Sequence, residues 1–374
     1  MKNVVIAGST GSIGKAALDV ISRYQDKFSL YGIAGNTQQN LLIKQIKKYK
    51  PRFAVFSVGN TNKTRIDQTT CFYGEENLEF FASVPDVDII IMAISGLAGL
   101  SCVLKALDAG KTVALATKEI IVCAGHLLSG KKGKILPIDS EHNAIFQILD
   151  SENSKISRIV LTASGGPLLN YKGNLKNVTV KQVLKHPVWK MGKRITVDSA
   201  TMMNKGLEII EAFYLFGIEK ERIDVVLHPQ AVVHGFVQFC DGFVKAVLSL
   251  PDMRYSINYC LNYPIRSDCG LPEPCISQIG KLSFYPCKKG MFPCLDLAKE
   301  ALKKGGSYLT ALNAADEEAV KMFFEGGIGF DKIPVLIERV LGKHTGLCVD
   351  TPGDIFLVDA EIKKQIRAMA DSLA

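Results

Sequence analysis

Asp139-Ser140-Glu141 sets two carboxylates two positions apart, after the apolar run Ile135–Ile138 and before the helical pattern Ala144–Leu149. In an extended segment residues i and i+2 point to one side, so both carboxylates can face one cation. A third, Glu208, closes Asn204-Lys205-Gly206-Leu207-Glu208, where Asn204 and Glu208 share a helix face by their i,i+4 spacing. Carboxylates without a His or Cys partner suit a hard divalent ion, Mg2+ or Mn2+, and disfavour zinc. Spacing alone leaves other uses open: a helix cap at Asp139 or Ser140, an intrahelical pair or a solvated face at Glu208.

A second chemistry is written in Gly8-Ser9-Thr10-Gly11-Ser12-Ile13-Gly14, which follows the strand-like Val4–Ala7 and opens a helix. Bare amides at a helix N-terminus approach a pyrophosphate closely. The Gly-x-x-Gly-x-x-Gly spacing differs from the commoner Gly-x-Gly-x-x-Gly, and a glycine turn without a ligand is the alternative. After the second strand-like run the chain reads Ala34-Gly35-Asn36-Thr37-Gln38. An acid there would bond a ribose 2′-hydroxyl and repel a 2′-phosphate; its absence admits NADP.

Lys118-Glu119 follows the strand-like Thr112–Ala116, which puts the pair at the crevice of a parallel sheet unless it is a plain surface pair. His186 to Gly192 holds the chain's single tryptophan, Trp189, flanked by Pro187 and Gly192. That composition suits a lid that closes over substrate with Trp189 covering it, the alternative being a buried structural ring.

The elements that must position these groups are legible from patterning. At 374 residues the chain exceeds what one core serves, so two or three domains are expected. β-rich runs alternate with helical patterns over the first 143 residues, which predicts βαβ units. The expected fold is α/β: a Rossmann-like parallel sheet over 1–143, an α+β domain over 144–262 with a hairpin turning at Asp241-Gly242, a Pro/Gly/Cys-rich linker over 263–293, and a helical bundle over 294–374. No apolar run reaches membrane-spanning length. Net charge is +8, carried by dispersed lysines rather than an arginine-rich stripe, so anionic small molecules fit better than nucleic acid. Within the basic stretch Lys172 to Arg194, all but Lys190, Lys193 and Arg194 read as a solvated face. The ten cysteines include no Cys-x-x-Cys pair, and the chain enters a strand at once, so a cytoplasmic enzyme is expected.

These motifs occur in order with Ser164-Gly165-Gly166-Pro167, His186-Pro187-Val188-Trp189-Lys190-Met191-Gly192, Asp198 to Glu208, His228-Pro229-Gln230, Pro251-Asp252-Met253-Arg254 and Thr310-Ala311-Leu312-Asn313-Ala314-Ala315. Together they resemble the 1-deoxy-D-xylulose 5-phosphate reductoisomerase family over nearly the whole chain. The resemblance implies a homodimer that rearranges a sugar phosphate and reduces the product with NADPH, in the non-mevalonate route to isoprenoids. It implies that Thr10, Gly11, Ser12, Ile13, Gly35, Asn36, Thr37, Thr117, Glu119 and Gly192 contact NADPH. Asp139, Glu141 and Glu208 would hold the metal; Lys118, Ser140, Glu141, Ser164, His186, Ser199, Asn204, Lys205 and Glu208 would contact the substrate. Thr117 stands where the family often has Asn, and Asn36 where some members have Lys.

The chemistry fits those residue types. Breaking a carbon–carbon bond beside a ketone builds charge on oxygen, which a cation stabilises, and a phosphate needs the hydroxyl, amide, ammonium and imidazole donors of Ser164, Ser199, Asn204, Lys205 and His186. Singly, Ser164 reads as a turn, Ser199 as an N-cap and His186 as a loop histidine. Two competing readings are a semialdehyde-type dehydrogenase with Cys123 as nucleophile and a non-catalytic NADP-binding protein.

Overall fold

The computed structural model describes residues 1–59, 63–152, 154–189 and 191–371, so Lys190 of the expected lid lies outside the described residues. The chain divides into two compact units: Met1–Ile120 with His126–Asn143 and Asp252–Pro272, and Ile121–Gly125 with Ala144–Pro251 and Glu273–Ala374.

The first unit is built on an eight-stranded sheet of β1 (Lys2–Ala7), β2 (Phe28–Gly35), β3 (Phe53–Phe56), β4 (Thr64–Ile66), β5 (Thr69–Tyr73), β6 (Ile89–Met92), β7 (Thr112–Leu115) and β8 (Lys134–Pro137). Their order is β4-β5-β3-β2-β1-β6-β7-β8, parallel throughout except for β4 at the edge. Val4, Val5, Ile6 and Ala7 are fully buried because a parallel strand is covered on both faces. Sequence order reverses across β1 and β6, the kind of switch point at which the strand C-termini of open α/β sheets form a ligand crevice.

The crossovers are α1 (Ser12–Arg23), α2 (Gln39–Tyr49), α3 (Leu78–Ser83), α4 (Leu100–Asp108) and α5 (Lys118–Leu128), and α6 (Ser140–Asp150) follows β8. The hairpin β4–β5 was not expected, since Thr64–Tyr73 shows little alternation.

The second unit contains α7 (Val180–Val183), α8 (Lys193–Thr201), α9 (Met203–Phe216) and a mixed sheet of β9 (Ile156–Ala163), β10 (Ile223–Leu227), β11 (Val233–Phe239), β12 (Val244–Leu248) and β13 (Tyr285–Pro286), ordered β12-β11-β9-β10-β13. The expected hairpin is present: β11 and β12 pair antiparallel, and Gly242 takes the positive φ of +90° that the turn requires.

Helix α10 (Met253–Asn262) belongs to the first unit. Asp252 caps it by accepting from the Arg254 amide at 2.9 Å, and the Arg254 guanidinium reaches Asp19 of α1 at 2.8 Å. Asp252 and Arg254 of the Pro251 to Arg254 motif therefore act as a clamp inside this unit.

Beyond it lie the short α11 (Ile276–Ile279) and the helical tail α12 (Pro293–Lys304), α13 (Ser307–Glu325), α14 (Lys332–Lys343) and α15 (Pro352–Asp371). Gly206 lets α9 approach α12, because a Cβ there would sit 2.4 Å from Ala298 Cβ.

Candidate active site

At the crevice of the first unit, the glycine turn is shaped by two of its three glycines. Gly8 has φ +98°, and a Cβ on it would meet the Ala93 carbonyl oxygen at 2.4 Å. A Cβ on Gly14 would meet the Gly8 oxygen at 2.2 Å, so it lets α1 start close under the strand. Gly11 differs: its φ is −75°, and nothing approaches its Cβ direction closer than 3.4 Å. It caps α1 with no side-chain hydrogen bond, so the first amides of the helix have no side-chain acceptor at Gly11.

Buried Ser9 fixes the turn: its hydroxyl donates to Gln45 Oε1 at 2.7 Å, while Gln45 Nε2 donates to the Ser9 carbonyl at 2.9 Å. Gln45 gave no sequence signal, being one polar residue on a mixed helix. Gly35 faces the Thr10 side chain, and Asn36 and Thr37 follow it, exposed. The Thr117 hydroxyl donates to the Ile94 carbonyl at 2.6 Å, which ties α5 to the end of β6.

Deeper along the same edge, Lys118 and Asp139 form an ion pair at 2.7 Å, with side chains only 8% and 11% exposed. Lys118 opens α5 and Asp139 immediately precedes α6. The alternation argument for Asp139 and Glu141 does not hold, because β8 ends at Pro137 and α6 begins at Ser140. The segment is a helix start: the Asp139 carbonyl accepts from Asn143 N at 2.8 Å, and its Oδ1 accepts from Glu141 N at 3.4 Å. The capping alternative is thus realised at Asp139, and its other oxygen meets Lys118.

Burial works against the Asp139 charge, but the Lys118 ammonium and His142 beside it hold the carboxyl well below its ordinary range. It is an anion at neutral pH, as a hard-metal donor must be. His142, fully buried with Nδ1 3.6 Å from Asp139, escaped the sequence reading although its i,i+3 spacing could have marked it. Ser140 donates to the Glu141 carboxylate.

In the second unit, Ser164 and His186 come together. His186 Nδ1 accepts from the amides of Val188 at 3.2 Å and Trp189 at 2.9 Å. Both contacts require a bare Nδ1, so Nε2 carries the hydrogen and gives it to Ser164 Oγ at 3.2 Å. Burial lowers the His186 pKa and favours that neutral ring. Ser164 also accepts from Gly166 N at 3.2 Å, which leaves its own hydrogen to donate to an anion. Gly166, at φ +71°, lies against the carbonyl of Ser199, where a Cβ would come to 2.4 Å. Ser199 is inside α8, so it is no N-cap.

Met202 takes φ +62° between α8 and α9. On α9 Asn204 donates to Glu208 Oε1 at 2.5 Å, and Lys205 pairs with the other oxygen of this carboxylate, itself 1% exposed. The intrahelical-pair alternative is therefore realised, while the solvated-face alternative is not.

Trp189 is half-buried, its ring 6.2 Å from that of His234 on β11. Gly192 precedes α8, exposed and with no atom near its Cβ direction. His228 is structural: Nε2 accepts from Val232 N and Val233 N at 3.2 Å while the ring stacks on Phe284 at 4.6 Å. Cys123 is 1% exposed inside α5, which removes the dehydrogenase reading that needed it as an accessible nucleophile.

Comparison with known proteins is consistent along the chain. Residues 4–125 match the family model for 1-deoxy-D-xylulose 5-phosphate reductoisomerase, and residues 135–216 and 248–365 match models for C-terminal domains of the same enzyme. A reductoisomerase of this name from Caldanaerobacter subterraneus is 42% identical over 379 residues, covering 98% of each chain. One from Sulfurihydrogenibium is 45% identical over 360 residues, covering 96% of this chain and 95% of the relative. Among solved structures, a DOX-P reductoisomerase in complex with NADPH, fosmidomycin and magnesium superposes with TM-score 0.90 at 34% identity, covering 100% of this chain and 99% of that one. The Zymomonas mobilis enzyme with NADPH gives 0.89 at 35% identity, covering 99% of each.

Proposed function

We propose the following division of labour from one premise: the chain belongs to the 1-deoxy-D-xylulose 5-phosphate reductoisomerase family. It is an NADPH- and divalent-metal-dependent oxidoreductase that converts 1-deoxy-D-xylulose 5-phosphate to 2-C-methyl-D-erythritol 4-phosphate. Full-length relatedness to enzymes of that one name carries this conclusion.

Residues 1–143 hold the dinucleotide, 144–262 the substrate and the dimer contact, 263–293 connect, and 294–374 support. Thr10, Gly11, Ser12 and Ile13 present helix-terminal amides to the pyrophosphate. Gly35, Asn36 and Thr37 take the adenosine end, and Thr117, Glu119 and Gly192 complete the NADPH contacts. Asp139, Glu141 and Glu208 are the metal's carboxylates, a hard oxygen set suited to Mg2+ or Mn2+. When bound, the metal polarises the substrate oxygens as a Lewis acid and NADPH supplies a hydride.

The chain's own groups do the rest. Lys118, with Asp139 at 2.7 Å, keeps positive charge beside oxygens on which negative charge develops, and Ser140 donates there. Ser164 and Ser199 donate hydroxyls to the substrate phosphate, and neutral His186 orients Ser164 through Nε2. Asn204 and Lys205 add amide and ammonium donors. Trp189 covers the substrate and excludes water.

The homodimer is supported by β12. This edge strand begins at Val244, 54% exposed, directly after Phe243 of the turn, 74% exposed, an apolar corner that a lone molecule rarely leaves uncovered. A second copy pairs there, and light scattering should read two chains. Ten cysteines without a Cys-x-x-Cys pair or a recognisable disulfide scaffold support a reducing, cytoplasmic setting. No described helix is long and apolar enough to cross a membrane.

The test follows NADPH absorbance with 1-deoxy-D-xylulose 5-phosphate. Turnover should vanish with EDTA and return with Mn2+ or Mg2+, and Glu208→Gln should lower kcat by ~100-fold or more, a few kcal/mol of lost electrostatic stabilisation. Oxidation of NADPH that persists undiminished in EDTA would overturn the assignment.

A further inference from the structure

Helix α8 begins immediately after the 186–192 segment, and its first turn carries Arg194. Arg194 stands apart from the solvated basic face, and its guanidinium is committed within the protein. Nη2 donates to Asn313 Oδ1 of α13 at 3.0 Å and lies 3.4 Å from Asp316 Oδ2. Nη1 is 3.5 Å from Glu317, and Nε is 3.6 Å from Asp198, one turn further along α8.

The receiving face of α13 is unusual. Thr310, Asn313 and Asp316 recur every three residues and are all fully buried, on a helix whose Leu309, Leu312, Ala315 and Ala319 are core. Buried polar groups cost stability unless paired, and a buried ion network is seldom the cheapest way to hold two helices together. What a planar guanidinium gripped from several sides supplies is orientation. Burial raises the Asp316 carboxyl to about 6, and Arg194 opposes that rise. The grip extends outward, since Glu317 also meets Lys363 of α15 at 3.2 Å.

The cargo of α8 explains why orientation matters. Ser199 directly follows Asp198, its carbonyl lies against Gly166 of the Ser164 loop, and the helix ends in the Met202 turn that starts α9. A rotation of α8 about its axis would move Ser199 relative to Ser164.

We propose that Arg194, held by Asn313 and Asp316, is a positioning residue that fixes the rotation of α8 and so aims the Ser199 hydroxyl at the substrate phosphate. It acts through Ser199 and touches neither substrate nor cofactor. The proposal rests on the reading of Ser199 as a phosphate donor.

The experiment is a double-mutant cycle on the full-length enzyme with NADPH, Mg2+ and 1-deoxy-D-xylulose 5-phosphate. Arg194→Met should raise KM for the sugar phosphate about tenfold, the worth of one hydrogen bond to a charged group, with kcat and NADPH affinity little changed. Arg194→Lys should recover part of the loss, and Asn313→Ala should repeat it more weakly, which serves if Arg194→Met folds poorly. Ser199→Ala alone should raise KM, and adding Arg194→Met should raise it no further.

If the two effects multiply, or Arg194→Met and Asn313→Ala leave KM unchanged while Ser199→Ala raises it, the positioning role is wrong and Ser199 stands. If Ser199→Ala leaves KM unchanged, the phosphate-donor reading falls and takes this proposal with it.

Discussion

The three glycines of the nucleotide turn should respond to alanine in three different ways, because the structure gives each a different reason to lack a side chain. At Gly14 the added Cβ meets backbone, the Gly8 oxygen at 2.2 Å and Ser9 Cα at 2.5 Å, and backbone can yield only by moving the turn. Overpacking of that kind costs ~1–3 kcal/mol. At Gly8 a similar clash, 2.4 Å to the Ala93 oxygen, is joined by a φ of +98° that L-residues rarely adopt, so the cost rises by a further ~1–2 kcal/mol. At Gly11 neither term applies. The φ of −75° and ψ of 178° suit alanine, and the nearest atom is 3.4 Å away. Loss of a favourable N-cap is offset by lower unfolded-state entropy, so the net change should stay within ~0.5 kcal/mol.

Urea unfolding followed by circular dichroism, without NADPH, measures these costs; titration of NADPH fluorescence measures binding. Gly11→Ala should leave stability intact and weaken NADPH about tenfold, since a methyl group would then stand where the proposed pyrophosphate contact meets the amides. Equal stability losses for Gly11→Ala and Gly14→Ala would refute the close-approach argument. Gly11→Ala with native NADPH affinity would refute the cradle.

Three further outcomes follow from the geometry. His186 has a pKa lowered by burial below its ordinary 6.5, so its stabilising contribution is complete above that value and is lost as pH falls below it. Wild type should therefore lose stability relative to His186→Gln between pH 7 and pH 5 in unfolding titrations; parallel curves would rule this out. Since Trp189 is the only tryptophan, saturating a phosphonate analogue of the substrate should change its fluorescence intensity or wavelength, and an unchanged spectrum counts against its covering role. Cys123→Ser should retain kcat within about twofold, because the thiol is buried inside α5 and the chemistry does not pass through it; a loss of ~100-fold would restore the nucleophile reading.

How far the site was legible depended on whether its signals were local. The turn from Gly8 to Gly14 was readable because strand, glycines and helix are consecutive, and the β11–β12 hairpin because Asp241-Gly242 states its own reversal. What escaped was held by partners far along the chain: Gln45 for Ser9, His234 for Trp189, and α13 for Arg194, where 119 residues separate Arg194 from Asn313. No spacing rule reaches across such intervals.

The carboxylates show a subtler failure. The extended-chain argument for Asp139 and Glu141 is wrong for a helix start, yet carboxylate oxygens of the two do lie within 4.8 Å of each other. Capping and chemical function, moreover, do not exclude one another. A carboxylate has two oxygens, and Asp139 uses both: Oδ1 takes the Glu141 amide at 3.4 Å and Oδ2 the Lys118 ammonium at 2.7 Å. The cap fixes where the side chain points, and the ammonium helps keep it ionised against the pull of burial. At Asp139 the structural role therefore serves the proposed chemical one. A sequence reading that ranks the two as rivals will undercount the residues placed to serve both.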